Sequence, residues 1–405
     1  MEKYGFTCVD YREDADVYVI NSCTVTAESD RKTRQAVRRF RSSHPGSIIV
    51  LTGCMTQASP ETADLLPEAD IVIGNRNNDA LYAYVMQFIN RRERIVDLRP
   101  HESGEKYSGG AVTSYADRTR AIVKIEDGCD RFCSYCIIPY ARGRVRSKPL
   151  EEIKAEVSAL AGNGFREIVL VGINLSAYGK DTGYGLADAV KTAASVDGVL
   201  RVRLGSLEPD HITPEIIEAL SGIPGFCPQF HISLQSGCDK TLKKMNRKYT
   251  TVEYEDLCLR LRNTFEGCTI TTDVMVGFPG ESQSDFDISL DFVKKTRFEK
   301  VHVFPYSRRP GTPAAKYEDQ ISNQEKQRRA EIMIDETEAI RREFLASQTG
   351  KVYEIIPEEN HPDGVRGYTA NYIPVIVEGR QPEGNGPVKI KITGVRADYC
   401  TGEMI

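Results

Sequence analysis

Short apolar runs alternate with longer amphipathic stretches over most of the chain. In the first hundred residues, three such runs predict β-strands at 17–20, 47–51 and 71–73, with helical stretches between them. Apolar strands that alternate with helices are typical of a parallel sheet covered by helices. The pattern therefore predicts a small α/β domain over residues 1–100.

A longer alternation of the same kind follows a polar, aperiodic segment at 101–118, which we interpret as a linker. Six strands are predicted, at 120–126, 167–172, 199–205, 228–234, 268–275 and 300–305. Helices are predicted between them, at 149–162, 184–194, 213–221, 250–264 and 281–296. Six consecutive βα units indicate a partial (β/α)6 barrel within residues 119–346, a shortened relative of the eight-stranded form.

The pattern changes after a charged amphipathic helix predicted at 322–348, with Ser322 as its N-cap and Gly350 as its stop signal. Short alternating strands punctuated by Gly and Pro follow, at 352–356, 372–377 and 388–393. They predict a small all-β module over residues 347–405, of the OB-like barrel type. The fold class is therefore α/β, with a parallel sheet, a partial barrel and a small β-barrel in that order.

Composition and charge restrict the class of protein. The chain has 405 residues, enough for two or three domains, and its 40% hydrophobic and 27% charged content is ordinary for a soluble globular protein. No apolar run approaches a membrane span and no signal-peptide pattern is present, so we expect a cytoplasmic protein without a membrane partner. Eleven cysteines in such a chain indicate reduced thiols. With a net charge of −5, any RNA-binding surface would have to be local.

Three cysteines provide the strongest candidate chemistry. Cys129, Cys133 and Cys136 have the spacing CxxxCxxC and directly follow the first predicted barrel strand, where such barrels carry their functional loops. Three thiolates can hold three irons of a [4Fe–4S] cluster, and the fourth iron then lacks a protein ligand and is open for catalysis. A zinc site or three unrelated buried thiols are the alternatives. Structural zinc usually takes four ligands, typically from two CxxC pairs, and no second pair exists here.

The CxxxCxxC spacing resembles the signature of radical S-adenosylmethionine (SAM) enzymes. In that superfamily the open iron binds SAM, and one electron cleaves SAM to a 5′-deoxyadenosyl radical. The resemblance therefore implies a [4Fe–4S] cluster on these three cysteines, SAM as a cofactor and a low-potential electron donor as a partner.

Polar and glycine residues at neighbouring strand ends are candidates for binding SAM. Such residues would converge on one cavity above the barrel, where SAM needs acceptors for its amino group and ribose hydroxyls. For any single one, satisfying backbone groups at a strand end is an equal explanation. As a set beside the cysteine loop they favour a pocket. The candidates are Gly172, Asn174, Ser206, Glu208, His231, Gln235 and Gly277.

Longer runs around these residues closely resemble the methylthiotransferases, over nearly the whole chain. The runs are 129–144, 205–209, 231–237, 277–281 and 304–313. The resemblance implies the family plan of a flavodoxin-like N-terminal domain, a radical SAM barrel and a C-terminal TRAM module. Within the family, 138–147 and 304–313 look most like the bacterial enzymes that insert a methylthio group at C2 of N6-threonylcarbamoyladenosine, next to the anticodon of tRNA.

The resemblance also implies a second, auxiliary [4Fe–4S] cluster. In the family, one SAM methylates a sulfur held at this cluster, and a second SAM is cleaved at the radical cluster. Cys23 and Cys54 match two of the auxiliary ligands, each after a predicted strand. The family's third ligand lies in a Gly-Cys-Lys-x-Asn loop that this sequence lacks. Residues 1–10 instead resemble a helix end and a strand start, so Cys8 is expected within a strand.

This comparison suggests that the start codon is assigned too late or that the chain is truncated. In either case the auxiliary cluster would lack a ligand, and methylthiolation would be impaired. Two other substrates keep the same chemistry: isopentenyladenosine in tRNA and an aspartyl residue of a ribosomal protein. A non-catalytic iron–sulfur or RNA-binding protein is a further alternative.

Three basic groups are candidates for contact with tRNA, the expected partner. They are the run 31–41, with six positive charges and no acid; Arg142, Arg144 and Arg146; and Lys243, Lys244, Arg247 and Lys248. A solvated helix face explains the first run equally well. From residue 350 onward six Lys and Arg face eight Asp and Glu, so RNA binding by the C-terminal module rests on its resemblance to TRAM domains. There, Tyr368 and Tyr372 are predicted to stack on unpaired bases.

Overall fold

The structure is a computed structural model that describes residues 1, 4–113, 115, 119–379 and 386–405. These residues pack as two compact units. Unit 1 comprises Met1–Glu105, Gly128–Arg144 and Ser307–Tyr317, and unit 2 comprises Lys106–Asp127, Val145–Tyr306 and Glu318–Ile405. The predicted linker lies partly outside the described residues, at 114 and 116–118. Because each unit combines separate stretches of chain, the predicted domain boundaries along the sequence stay predictions.

The N-terminal hundred residues form four strands and four α-helices. The strands are β1 (Val17–Ser22), β2 (Ile48–Gly53), β3 (Ile71–Ile73) and β4 (Ile95–Asp97). The helices are α1 (Ala27–Ser43), α2 (Cys54–Ala58), α3 (Thr62–Leu65) and α4 (Leu81–Arg91). All four strands are parallel and pair in chain order. This confirms the predicted flavodoxin-like parallel sheet.

Hydrophobic side chains cover both faces of this sheet. Val37 of α1 packs with Leu51 on one face, and Val85 of α4 packs with Val50 on the other. Neighbouring residues of a strand point to opposite faces, which is why β2 is apolar throughout and buried along its whole length.

The prediction of a strand around Cys8 is wrong. The described residues between 4 and 15 form no strand, and Cys8 is exposed. The aromatic side chains of this segment pack on α4 instead: Tyr4 stacks on Tyr82 with ring centres 3.9 Å apart, and Phe6 meets the same ring edge-on. This segment therefore packs against helix α4 instead of pairing with the sheet.

The middle of the chain contains nine strands and seven α-helices. The strands are β5 (Arg120–Lys124), β6 (Glu126–Asp127), β7 (Arg146–Ser147), β8 (Glu167–Val171), β9 (Arg201–Leu204), β10 (Ser206–Leu207), β11 (Gln229–Ile232), β12 (Thr269–Val276) and β13 (Lys300–Pro305). The helices are α5 (Ile138–Arg142), α6 (Leu150–Gly162), α7 (Leu186–Ala194), α8 (Pro214–Ser221), α9 (Asp239–Lys244), α10 (Thr251–Thr264) and α11 (Gln283–Thr296).

The partial (β/α)6 barrel is confirmed. Parallel strands pair in the orders β5-β8-β9 and β10-β11-β12-β13. The third predicted strand is interrupted at Gly205, and its halves β9 and β10 belong to the two sheets. Within β9, Val202 also forms a parallel bridge with Phe226, which precedes β11. In this bridge the N–H of Val202 donates to the carbonyl of Gly225 at 2.9 Å. The two-residue strands β6 and β7 pair antiparallel to each other.

The C-terminal quarter consists of a long helix and a closed barrel. The helix is α12 (Asn323–Ala346), and the strands are β14 (Val352–His361), β15 (Gly364–Thr369), β16 (Pro374–Val377), β17 (Val388–Arg396) and β18 (Tyr399–Met404). The barrel order β14-β15-β16-β18-β17 confirms the predicted small β-barrel. Ser322 caps α12 as predicted, by accepting from the N–H of Glu325 at 3.2 Å.

Within unit 2, the small β-barrel is bonded to the N-terminal ends of the barrel strands. Arg201 of β9 donates to the carbonyl of Tyr368 at 3.1 Å, and Arg203 donates to the carbonyl of Ala370 at 3.0 Å. The hydroxyl of Thr269 donates to the carbonyl of Asn371 at 2.6 Å. These contacts leave the C-terminal strand ends as the place where loops carry function.

Candidate functional site

Cys23 and Cys54 follow neighbouring strands of unit 1. Ser22 pairs with Gly53 where β1 and β2 end, so both cysteines leave the same edge of the sheet. The hydroxyl of Ser22 donates to the carbonyl of Thr52 at 2.6 Å and accepts from the N–H of Met55 at 3.1 Å, which fixes the two strand ends together. Cys23 is exposed and Cys54 is buried.

The approach of these strand ends requires a glycine at position 53. Gly53 has φ of +106°, and a Cβ there would lie 2.4 Å from the carbonyl oxygen of Ser22. Any larger residue would force the two strand ends apart.

The segment 128–144 carries Cys129, Cys133 and Cys136 and belongs to unit 1. Its helix α5 contacts α2, the helix that begins at Cys54. The N–H of Cys129 donates to the carbonyl of Gly143 at 3.0 Å, and the N–H of Cys136 donates to the carbonyl of Cys133 at 2.9 Å. These bonds close the loop at its base and at its tip. Cys133 is buried, while the other two cysteines are partly exposed.

Asn75 connects the two cysteine-bearing segments of unit 1. Its Nδ2 donates to the carbonyl of Ala141 at 2.9 Å and to the Sγ of Cys54 at 3.6 Å. One amide therefore touches both the end of the CxxxCxxC loop and a predicted auxiliary ligand.

The segment 307–317 adds further links inside unit 1. The N–H of Ala314 donates to the carbonyl of Ser134 at 2.8 Å. The buried Arg309 donates from Nη2 to Thr24 and to Asp30, each at 2.6 Å. This segment thereby contacts the CxxxCxxC loop and the residue after Cys23.

The cysteines of unit 1 form a thiol-only donor set. Among the described residues no disulfide occurs, and no group of three or more His, Cys, Asp or Glu side chains is arranged around a single metal ion. A cubane cluster has a different requirement, because each of its irons takes its own thiolate. The donor chemistry of three thiols on one loop fits an iron–sulfur cluster.

Gly172 and Asn174 meet a buried carboxylate in unit 2 that the sequence alone did not single out. Glu126 is fully buried, and its Oε2 accepts from the N–H of Asn174 at 2.7 Å. A Cβ at Gly172 would lie 2.6 Å from the same oxygen. Glu126 Oε1 and Asn174 Oδ1 are buried and have no hydrogen-bond partner among the described residues. Two such acceptors suit a ligand with several donors, as the amino group of SAM is.

Burial raises the pKa of Glu126 to about 8, against the opposing effect of the bond from Asn174. Without a ligand this carboxyl is therefore mostly protonated at neutral pH. A cationic group beside it would favour its ionised form. The sequence signal was present, since Glu126 ends the first predicted barrel strand, but its burial depends on the surrounding fold.

Ser206, His231 and Gln235 come together around β11 and β12. Nδ1 of His231 lies 2.9 Å from the hydroxyl of Thr271, and Nε2 lies 3.1 Å from Asp273 Oδ2. The N–H of Gln235 donates to the carbonyl of Asp273 at 2.8 Å, with a strained φ of +66°. Ser206 pairs with His231 in the parallel register and is exposed.

Glu208 is engaged in an ion pair that the sequence did not predict. Arg247 donates to both of its carboxylate oxygens, with Nη1 3.2 Å from Oε1. Arg247 is buried and also donates to the carbonyl of Ser233 at 3.1 Å. Because Arg247 is buried and pairs with Glu208, it does not present its charge to tRNA as the predicted basic group requires.

Gly277 faces protein rather than open space. It has φ of +68°, and a Cβ there would lie 2.4 Å from the Cγ of Lys326 on α12. The N–H of Gly277 donates to Glu281 Oε2 at 2.7 Å, and Arg329 donates to the same oxygen at 2.8 Å. Glu281 therefore closes this turn and pairs with α12, whereas Ser282 caps α11.

The predicted RNA-contacting residues have mixed surroundings. On α1, Arg31, Arg38 and Arg41 form ion pairs with acids at 2.5, 3.3 and 2.5 Å. Lys32, Arg34 and Arg39 make no ion pair with any described residue. Near the cysteine loop, Arg144 pairs with Asp130 at 3.1 Å and Arg146 lies 3.5 Å from Asp127. Lys244 pairs with Asp319 at 2.7 Å.

Tyr368 and Tyr372 are engaged inside unit 2. Their rings stack on each other with centres 4.6 Å apart. The guanidinium of Arg120 lies 4.8 Å from the ring centre of Tyr368, and that of Arg203 lies 4.7 Å from the ring centre of Tyr372. In this structure both tyrosines are part of the contact between the small β-barrel and the strands of the partial barrel.

The partial barrel and the CxxxCxxC loop define a radical SAM enzyme. Residues 123–293 match the Radical SAM superfamily, and residues 1–74 match "Uncharacterized protein family UPF0004". Membership of the superfamily implies a [4Fe–4S] cluster and SAM. The chain belongs, more closely, to the tRNA methylthiotransferases of that superfamily, as similarity along its full length shows.

Two bacterial relatives are named threonylcarbamoyladenosine tRNA methylthiotransferase MtaB. That of Bacillus subtilis is 38% identical over 99% of this chain and 90% of its own length. That of Thermotoga maritima is 35% identical over 100% and 94%. A tRNA-2-methylthio-N(6)-dimethylallyladenosine synthase of Pelotomaculum thermopropionicum is 33% identical over 99% and 92%.

The fold also resembles a solved radical SAM structure. The methyltransferase TsrM of Kitasatospora setae superposes with a TM-score of 0.57 at 14% sequence identity, over 75% of this chain and 64% of TsrM. This likeness shows the shared fold. Among the described residues of our chain, no helix is both long and apolar enough to cross a membrane.

Proposed function

We propose that this chain inserts a methylthio group at C2 of N6-threonylcarbamoyladenosine next to the anticodon of tRNA. The full-length similarity to enzymes named for this nucleoside, at 38% and 35% identity, carries the proposal. Dimethylallyladenosine is the second candidate substrate, because synthases named for it are 33% and 34% identical to the chain.

The proposed reaction uses two [4Fe–4S] clusters. Cys129, Cys133 and Cys136 would hold the cluster with the open iron. That cluster would supply the one-electron cleavage of SAM, with the electron coming from an external low-potential donor. Cys23 and Cys54 are ligands of the auxiliary cluster that carries the sulfur. Support comes from their position at one sheet edge and from Asn75, whose amide contacts Cys54 and the end of the CxxxCxxC loop.

SAM binding is assigned to the strand ends of unit 2. Glu126 and Asn174 offer unpartnered acceptors that would bind the amino group. Ser206, His231 and Gln235 would supply further polar contacts. Glu208 and Gly277 would contribute to SAM binding indirectly. Glu208 is held in place by Arg247, and Gly277 leaves room for α12 to approach the strand end. Gly172 leaves the space that the Glu126 carboxylate occupies.

The proposed macromolecular partner is tRNA, and the proposed location is therefore the cytoplasm. On α1, Arg34 and Arg39 have no acidic partner among the described residues and are available for phosphates, whereas Lys32 lies in the field of Glu28. The proposed contact is electrostatic, so tRNA affinity should fall as the salt concentration rises.

The test is a product assay with the reconstituted enzyme under anaerobic conditions. Two tRNA anticodon stem-loops, bearing threonylcarbamoyladenosine or isopentenyladenosine, are incubated with SAM and a reductant, and nucleosides are identified by mass spectrometry. We expect the methylthio product from the first substrate only. Product from the second alone would refute the substrate assignment, as would modification of a ribosomal protein without any change in the RNA.

A further inference from the structure

The interior of the partial barrel is polar and contains a cavity of about 430 Å³ within unit 2. The interior of a (β/α) barrel is usually filled by layers of branched apolar side chains. Here the cavity is lined at the inward positions of three adjacent strands by His231, Thr271 and His302. Tyr372 of the small β-barrel lines its floor. A polar cavity of this size at the centre of a barrel suits a small polar ligand group.

Two positive charges at this cavity, those of Arg341 and Lys300, form no ion pair with an acidic side chain in the part of the chain that the structure describes. Arg341 of α12 is buried and donates to two carbonyl oxygens, those of Glu299 at 3.3 Å and Asp398 at 2.9 Å. Lys300 begins β13 and makes no ion pair with any described residue. A buried cation without a counter-ion is costly, so an anion in the cavity would be stabilised.

The other charged groups of the cavity are already compensated or exposed. Arg120 pairs with Glu358 at 2.9 Å, and Arg203 pairs with Glu167 at 2.9 Å. Of the acids that line it, Glu299 accepts from the N–H of Ile270 at 2.6 Å and lies near Arg262, and Asp398 is exposed. The cavity therefore has a net positive character around Lys300 and Arg341. The pKa of His302 is lowered mainly by burial, and then by Lys300, His231 and Arg341 against the opposing effect of Asp273.

We propose that this cavity binds the carboxylate of the N6 substituent of the substrate nucleoside, with Lys300 as a specificity-determining residue. The inference rests on the proposed function. A threonylcarbamoyl group ends in a carboxylate and a hydroxyl, whereas a dimethylallyl group is uncharged and has no hydrogen-bonding atom. Lys300 and Arg341 attract the carboxylate, while Thr271 and His302 offer hydrogen bonds to its polar neighbours. A site built this way disfavours the neutral analogue, which would leave the charges unpaired.

The test compares binding of three anticodon stem-loops to the reconstituted enzyme by fluorescence anisotropy without reductant. The RNAs carry threonylcarbamoyladenosine, its methyl ester, or isopentenyladenosine. The ester removes the negative charge and little else. We expect wild type to bind the free acid about tenfold to a hundredfold more tightly than the ester. Lys300→Met should reduce this ratio to below about threefold, and Lys300→Arg should restore it.

The matched control is Lys191→Met. Lys191 is exposed on α7 and makes no ion pair with any described residue, so its loss changes net charge equally. This variant should keep the wild-type ratio.

The wild-type comparison tests the proposal even if a Lys300 variant fails to fold. Equal binding of acid and ester by wild type would overturn the carboxylate site, and so would an unchanged ratio in a folded Lys300→Met protein. Either result can coincide with normal methylthiolation of threonylcarbamoyladenosine, in which case the proposed function stands. Product from isopentenyladenosine alone would overturn both.

Discussion

Glu126 enters the interior of unit 2 with only one of its two carboxylate oxygens hydrogen-bonded. Burial is the main cause of its raised pKa of about 8, and the charge of Asp127 adds to it. The same features leave an acceptor available for a cationic ligand. One side chain thereby connects the geometry of two strand ends with the chemistry proposed for SAM binding.

The raised pKa of Glu126 predicts a pH-dependent stability. A carboxyl whose pKa is higher in the folded protein contributes stability that is complete below the unfolded pKa of about 4.5 and is lost as pH rises through about 8. Glu126→Gln removes this dependence. Relative to wild type, the variant should therefore gain stability between pH 6 and pH 9, by at most about 1.4 kcal/mol per pH unit.

Thermal unfolding of wild type and Glu126→Gln at both pH values measures this effect. A stability difference that is the same at pH 6 and pH 9 would show that Glu126 titrates normally.

Sequence reasoning identified the candidate residues of the site better than their partners. The polar strand ends followed from the βα pattern, because the C-terminal ends of parallel strands carry function. The pairing of Glu208 with Arg247, and the position of Lys326 beside Gly277, depend on side chains that are far apart in sequence or on separate elements. Local patterns contain no information about such contacts.

At the scale of elements, the pairing of β1 with β2 sets the position of Cys23 and Cys54. The pairing depends on Gly53, whose missing side chain lets the backbone of Ser22 approach. A residue with a Cβ would meet both a forbidden backbone conformation and a direct clash.

Gly53→Ala should therefore destabilise the protein by about 2 kcal/mol or more and lower the iron retained after reconstitution. Gly46→Ala is the matched control. Gly46 lies just before β2, has an ordinary φ, and has no atom within 4 Å of the position of an added Cβ. Chemical denaturation and iron analysis compare the two variants. Equal behaviour of both would argue against a close approach at Gly53.

Strands that the sequence predicted correctly are those with continuous apolar runs, such as β2 and β8. Unpredicted strands include β4, which has three residues, and β15 and β18 of the small barrel. β15 contains two glycines, and β18 mixes Gly, Thr and Glu, so neither has a strong alternation. They form because neighbouring strands supply hydrogen bonds and close the barrel. This stabilisation comes from tertiary pairing.

At the scale of the whole molecule, the candidate functional residues divide between the two packing units. Unit 1 contains the five predicted metal-binding cysteines: Cys23, Cys54, Cys129, Cys133 and Cys136. Unit 2 contains the predicted SAM-binding residues. The sequence pattern grouped the CxxxCxxC loop with the barrel, because the loop follows a barrel strand. Its packing with the N-terminal sheet depends on contacts such as those of Asn75 and Ala314, which link segments distant in sequence.

The two sets of cysteine ligands lie on separate stretches of chain, so we predict that the two clusters can be removed separately. Wild type carries two of the family's three auxiliary ligands, so it should retain at most one auxiliary cubane of about four irons. Cys54→Ala should remove that iron and any methylthio product that wild type forms. Cleavage of SAM to 5′-deoxyadenosine should continue, because the radical cluster keeps its three ligands. Iron analysis, nucleoside mass spectrometry and 5′-deoxyadenosine measurement on the same preparation test this. An unchanged iron content with normal product would contradict the assignment of Cys54.

The central claim is that the Cys129, Cys133 and Cys136 loop generates the radical. Its most direct test is 5′-deoxyadenosine formation from SAM after reduction with dithionite, measured for wild type, Cys133→Ala and Cys258→Ala. Cys258 is buried in α10, and burial raises its pKa to about 12, so it is not expected to act as a ligand. We predict 5′-deoxyadenosine from wild type and Cys258→Ala and none from Cys133→Ala. Continued formation by a folded Cys133→Ala protein would contradict the account.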